Sequence, residues 1–162
     1  MTAIPWQDPA TFQEACFFLA TMDRARPRAF ARVRETAAQI AGLMTQLDPE
    51  MAAMCRVTCP DCRDNCCARA TIWYDFKDLL FLYFNALPLP DRQIRKQVRG
   101  GSPTCIHLTE TGCDLQRLRR PFVCTWYLCE RQKNMAGTHG IQAGILKSQV
   151  LRREMEDIFC RN

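Results

Sequence analysis

A chain of 162 residues, 48% apolar and 24% charged, has the size and composition of one folded domain and is too apolar for a disordered tail. Cysteine is the exception, with 11 in all. The formal charge of +5 does not require an acidic partner: a divalent ion held by four thiolates carries about −2, and nearby Lys and Arg offset it.

The opening stretch, Met1 to Asp8, has no basic region, and the short apolar run 16–20 is followed by no cleavage-site pattern, so no export signal is expected. The longest apolar stretch, 79–87, is about half of the roughly 20 residues a membrane-spanning helix needs. The expectation is a cytoplasmic protein with no membrane association. In a reducing compartment clustered cysteines are metal ligands or redox groups rather than structural bridges, and an odd total argues against a complete disulfide framework.

In chain order, Asp8-Pro9 opens a helix with Asp as N-cap and Pro at the first position, and Phe12, Cys16 and Leu19 form its apolar stripe. Cys16 reads as a core residue, because a free thiol packs as a small hydrophobe. A second helix is predicted from about Pro27 to Leu47, where Phe30, Val33, Ala37, Ile40, Met44 and Leu47 recur at three and four. Arg24, Arg28 and Arg32 read as a solvated face, since no aromatic or Gly interleaving accompanies them. Asp48-Pro49 is expected to end that helix and to start a short one through Met54. A third helix follows Asp75, with Phe76, Leu79, Leu80, Tyr83, Phe84 and Leu87 on one face; Phe81 and Leu82 lie off it, so the helix is expected to be buried on more than one side. Asp75 and Asp78 read as cap and surface groups, not an acid–base pair.

Leu87-Pro88-Leu89-Pro90 breaks that helix. Residues 91–98 suggest a short surface helix, Gly100 to Pro103 a loop, and Thr104 to Arg120 an irregular loop or small hairpin with a turn at Thr111-Gly112. A final helix, with Gly137 and Gly140 flanking its start, carries Ile141, Ile145, Leu151, Met155, Ile158 and Phe159 as its stripe. The predicted architecture is a mainly α, single-domain helical bundle over 1–162. Its irregular cysteine-rich loops, at about 55–130, converge on a metal centre and are flanked by N-terminal helices and a C-terminal helix.

The chemistry lies in two arms. The first, Cys59-Pro60-Asp61-Cys62-Arg63-Asp64-Asn65-Cys66-Cys67, packs four thiols into nine positions; the second is Cys105, Cys113, Cys124 and Cys129, spaced x7, x10 and x4. Thiolates are soft, charged donors, and four around one centre select zinc, iron or an iron–sulfur cluster over hard cations. The gap of two between Cys59 and Cys62 lets both sulfurs meet one ion from a tight turn, which Pro60 would stiffen. Adjacent Cys66 and Cys67 project apart, so they serve two centres, or one ligates while the other packs. A single CxxC knuckle and irregular second-arm spacings tilt the choice toward iron–sulfur over paired zinc sites, with one or two centres open. Cys55 is an extra candidate. Arg56, Arg63, Arg69, Arg117, Arg119 and Arg120 flank the thiols and could balance their charge. His107 reads as a neighbour or surface group and His139 as a helix-start residue, and no Ser-His-Asp order, phosphate loop or HExxH is present.

These motifs, with Gly112-Cys113 and Arg120-Pro121-Phe122-Val123-Cys124-Thr125-Trp126-Tyr127-Leu128-Cys129, resemble the YkgJ-like cysteine-cluster proteins, described as zinc- or iron-chelating. The resemblance covers about residues 55 to 130. Thr125 stands where the family often has Arg, so no role for that side chain carries over. The resemblance implies metal chelation by Cys59, Cys62, Cys66, Cys67, Cys105, Cys113, Cys124 and Cys129, in a structural, metal-handling or electron-transfer role. A related group, the flagellin lysine N-methylases, shares the cluster and suggests an alternative: S-adenosylmethionine-dependent protein lysine methyl transfer assisted by an iron–sulfur centre. A second alternative is a zinc-stabilised module binding nucleic acid or protein through its basic surface, nucleic acid being the less expected partner.

Overall fold

The computed structural model describes residues 4–59, 62, 66–99, 101–110, 112–135 and 138–162. The expectations placed on Pro60, Arg63, Gly100, Thr111 and Gly137 lie outside them. The molecule is a mainly α single domain, 62% helical.

Helix α1, Pro9–Ala25, starts as its sequence dictates: the Asp8 carboxylate accepts from the Thr11 N–H at 3.0 Å and Pro9 occupies the first turn, where no N–H is needed. Helix α2, Ala31–Thr58, is longer than its sequence predicts, because it runs straight through Pro49. A proline inside a helix costs about 3 kcal/mol or more, since it donates no N–H and crowds the preceding turn. Beyond it, however, Met51 and Met54 are almost fully buried, and burial is worth roughly 1.5–3 kcal/mol for each such side chain. Tertiary packing therefore carries the helix over the break.

A four-residue turn, α3 (Cys66–Arg69), leads to α4, Phe76–Phe84. A reciprocal box closes its first turn: Asp75 accepts from the Asp78 N–H at 2.8 Å and Asp78 accepts from the Asp75 N–H at 3.0 Å. Leu79, Leu80, Phe81 and Leu82 are all buried, so α4 is enclosed on more than one side, as its apolar run predicts.

Residues 91–98 are not a helix. They lead into strand β1, Lys96–Arg99, which pairs antiparallel with β2, Ser102–Cys105, around the turn at Gly101. Pro103 is tolerated there because a two-stranded ribbon has free edges. A second hairpin, β3 (Leu108–Thr109) with β4 (Gly112–Cys113), agrees with the predicted small hairpin, and Gly112 supplies its φ of +118°. A 3₁₀ turn at Arg117–Arg119, short helices α5 (Val123–Trp126) and α6 (Glu130–Lys133), and the long α7 (Thr138–Cys160) complete the chain.

Helices α2 and α7 form the main pair, with α4 packed against both and α1 against α4. They approach closely at Gly144 of α7, where an added Cβ would stand 2.6 Å from Leu47 Cδ1. The main core gathers Phe12, Leu19, Phe30, Ile40, Leu80 and Met155. A second, smaller core of Met51, Met54, Leu128, Ile141 and Ile145 lies where the end of α2 and the start of α7 meet the cysteine-rich segment. Leu47 and Phe122 touch both cores. The platform beneath the cysteines is therefore continuous with the folded body.

Candidate metal centre

The end of α2 presents two thiols on one helical face, because residues four apart lie one above the other. Cys55 and Cys59 lie four residues apart at the end of α2, the Cys59 N–H donating to the Cys55 carbonyl at 2.9 Å. The neighbouring Cys59 thiol lowers Cys55 to about 6 against the opposing effect of burial, with Arg117 and Arg120 assisting, and Cys55 in turn raises Cys59. Gln132 Nε2 donates to Cys55 Sγ at 3.7 Å and to Thr58 Oγ1 at 3.1 Å. Its Oε1 accepts from the Cys129 N–H at 3.2 Å, so one buried amide ties the start of α6 to the end of α2.

The Cys62 N–H donates to the Cys59 carbonyl at 3.2 Å. The adjacent thiols of Cys66 and Cys67 act on each other likewise, Cys66 being lowered to about 7 and Cys67 raised. The charge of Cys55 raises Cys66, and those of Cys124 and Cys105 raise Cys67.

The second arm meets the first where β2 contacts α3. Helix α3 packs on β2, and Lys96 Nζ donates to the Ala68 carbonyl at 2.6 Å, so Cys105 at the end of β2 lies against the first arm. Cys105 is 6% exposed and its thiol is raised, first by burial and then by Cys113. It backs a cavity of about 230 Å³ lined by Ile4, Thr71, Ile72, Ile94 and Lys96. Cys113 stands opposite Leu108 in the β3–β4 hairpin, where Arg120 donates to the Cys113 carbonyl at 3.4 Å and to the Leu115 carbonyl at 2.8 Å. Cys124 is pushed up to about 12, mainly by burial and then by Cys113 and Cys105.

The segment before Cys124 is fastened to the core. Asp78 Oδ1 accepts from the Phe122 N–H at 3.0 Å and pairs with Arg152 at 2.8 Å, and the Arg152 guanidinium lies 4.4 Å from the centre of the Phe122 ring. Asp78 is not the surface group its position on α4 suggested: it is 4% exposed, and its carboxylate is satisfied from three elements. Arg117, also buried, donates to Asp48 at 2.6 Å and fixes the 3₁₀ turn against α2. The Tyr74 hydroxyl donates to the Arg119 carbonyl at 2.8 Å.

The structure thus brings α3 of the first arm against β2 of the second. Among the described residues, no three or more His, Cys, Asp or Glu side chains already stand as a set that could hold a metal ion. The donor set itself suits a soft ion, being sulfur throughout with Arg117 and Arg120 beside Cys55 and Lys96 beside Cys105. His107 is turned away to Asp114 at 2.9 Å, and His139 is exposed in the first turn of α7. Cys16 packs partly against the main core on α1, and Cys160 is exposed near the end of α7. Arg24, Arg28, Arg32, Arg56 and Arg69 are exposed.

Cys55 lies on α2, four residues before Cys59, whereas the sequence pattern, ending that helix at Pro49 and a short one at Met54, placed it in a connector.

No family model matches the chain, and no curated protein or solved structure matches it either. Among the described residues, no helix is long and apolar enough to cross a membrane.

Proposed function

We propose that this protein binds zinc or iron, the latter as an ion or an iron–sulfur cluster, through its clustered thiolates in a reducing, cytoplasmic setting. The observation that carries this reading is the meeting of two cysteine arms separated by nearly 40 residues, along the contact between α3 and β2. Burying uncoordinated thiols close together yields no more than weak packing, and a fold whose core is already complete without them gains little from it. A shared soft ion gives the arrangement a purpose.

The residues that would hold the metal are drawn from Cys59, Cys62, Cys66, Cys67, Cys105, Cys113, Cys124 and Cys129. Zinc would cross-link the arms; iron–sulfur would add one-electron chemistry. The chain's own contribution is to hold the second arm on the Asp78–Arg152 pair and to offset thiolate charge with Arg117, Arg120 and Lys96. The likeness of the motifs to the YkgJ-like cysteine-cluster proteins points the same way. Methyl transfer and nucleic-acid binding remain without a structural feature to favour them: the cavity of about 530 Å³ beside Trp6 and Phe76 is lined by no cysteine.

The test is elemental analysis after anaerobic purification. Stoichiometric zinc or iron, lost when the eight cysteines are replaced by Ser, is the expected result; a folded protein carrying neither metal refutes the reading.

A further inference from the structure

We infer that the cavity beside Trp6 binds a quaternary ammonium cation, at a site that shares no residue with the cysteine arms. The cavity, of about 530 Å³, is lined by Trp6, Thr11, Glu14, Ala15, Phe18 and Phe76. Its volume is that of a small-ligand site. Three of the lining side chains are aromatic and one is a carboxylate, and ring faces beside a negative charge attract a cation.

The rings are braced by the fold. Trp6 meets Phe76 at 6.3 Å with the ring planes 59° apart, so neither is stacked over the other's face. Two buried rings that do not line the cavity support the three that do. Phe12 makes an edge contact with Trp6 at 6.5 Å, and Phe159 makes edge contacts with Phe76 at 5.6 Å and with Phe18 at 6.5 Å. Walls fixed in advance lose little freedom when a ligand enters.

Trp6 itself stands at a φ of +48°, a left-handed backbone that a bulky side chain rarely adopts. The buried Gln93 amide holds that turn in place. Its Nε2 donates to the Pro5 carbonyl at 3.0 Å and to the Tyr74 carbonyl at 2.9 Å, and its Oε1 accepts from the Tyr74 N–H at 2.8 Å. Strain maintained by such a brace is characteristic of ligand clamps, and here it sets an indole in the cavity wall.

The polar groups select the ligand. Among the described residues Glu14 makes no hydrogen bond or ion pair, and no Lys or Arg lines the cavity. An anion would be repelled, and a neutral apolar ligand would take water from the carboxylate without replacing it. The Thr11 hydroxyl already donates to the Asp8 carbonyl at 2.9 Å, which leaves the Glu14 carboxylate as the charged acceptor. A primary ammonium has several N–H donors to satisfy, whereas a quaternary ammonium has none and presents methyl groups to the rings. This chemistry is common to free choline-like molecules and to a trimethylated lysine side chain.

The experiment is calorimetric titration of the protein with choline, with the neutral isostere of choline in which tert-butyl replaces trimethylammonium, and with Nα-acetyl-trimethyllysine amide. At least one of the two cations is expected to bind saturably, and the isostere about tenfold more weakly or not at all. The tighter cation identifies the source, free or protein-borne. Trp6→Leu, which keeps an apolar wall but removes the ring, should weaken cation binding about tenfold. Glu14→Gln, at an exposed position, should weaken it less, by an amount that shrinks as salt is raised. Equal binding of cation and isostere by wild type overturns the inference, as does the absence of saturable binding by either cation, or cation binding that neither variant changes. The isostere comparison needs wild type alone, so it decides the matter even if Trp6→Leu does not fold.

Discussion

The Phe122 N–H donates to Asp78 Oδ1 at 3.0 Å, and through that one bond the buried start of α4 holds the turn that delivers Cys124. The same carboxylate meets Arg152, whose guanidinium caps the Phe122 ring, so a core ion pair and the cysteine segment share their fastening. Asp78→Ala removes the acceptor and leaves Arg152 with Asp75 alone. Because it breaks a buried pair by removing one partner, the expected loss is about 3–5 kcal/mol in denaturant unfolding, with reduced metal content in whatever folds.

Stability should carry a pH signature of the same residue. Burial raises the Asp78 carboxyl from 3.8 to about 6, with Arg152 opposing. Its proton is thus held more tightly in the folded state than in the unfolded one. The contribution is fully present below about pH 4 and is lost as pH rises through about 6. The difference in unfolding free energy between wild type and Asp78→Asn should therefore fall by roughly 2–3 kcal/mol across that window. A difference that is flat with pH, or that rises, contradicts the assignment.

Gly112 adopts a φ of +118° at the start of the strand that carries Cys113. An added Cβ meets nothing within 4 Å there, so Gly112→Ala strains only the backbone. The expected cost is about 1–3 kcal/mol, with a loss of metal affinity larger than the loss of global stability, because the hairpin is small and lies at the thiols. Equal losses in calorimetry and metal titration would contradict this.

Phe30 stacks on Phe159 at 4.8 Å and packs against Phe84, in the main core. Phe30→Ala should cost about 3–5 kcal/mol yet leave metal stoichiometry unchanged in the folded fraction, since the main core around Phe30 includes none of the eight candidate cysteines. Cys160→Ser, exposed near the end of α7, should change neither stability nor metal content. A drop in retained metal with Cys160→Ser would show that the donor set is wrongly drawn.

The helices were largely legible in the sequence because each has a face that must be covered. The stripe from Phe30 to Leu47, the run around Leu80 and the spacing from Ile141 to Phe159 all lie buried or partly buried against the core. The Asp8 and Asp75 caps were legible too, since a short acceptor beside orphan N–H groups satisfies them locally. Local rules misled at Pro49, at residues 91–98 and at Asp78. In the first, burial of Met51 and Met54 outweighed a broken hydrogen bond; in the second, a charged stretch found a strand partner across Gly101; in the third, Arg152 came from a helix more than 70 residues away.

The amino-acid order by itself determined a helical body and supplied sulfur in two crowded stretches, because periodicity and residue chemistry act over a few neighbours. Only the tertiary structure decided which cysteine-bearing segments meet. That choice depends on α2 continuing to Thr58, on α3 lying against β2, and on a buried carboxylate meeting an arginine from the far end of the chain. Each is a contact between segments whose separation along the backbone carries no information about their separation in space.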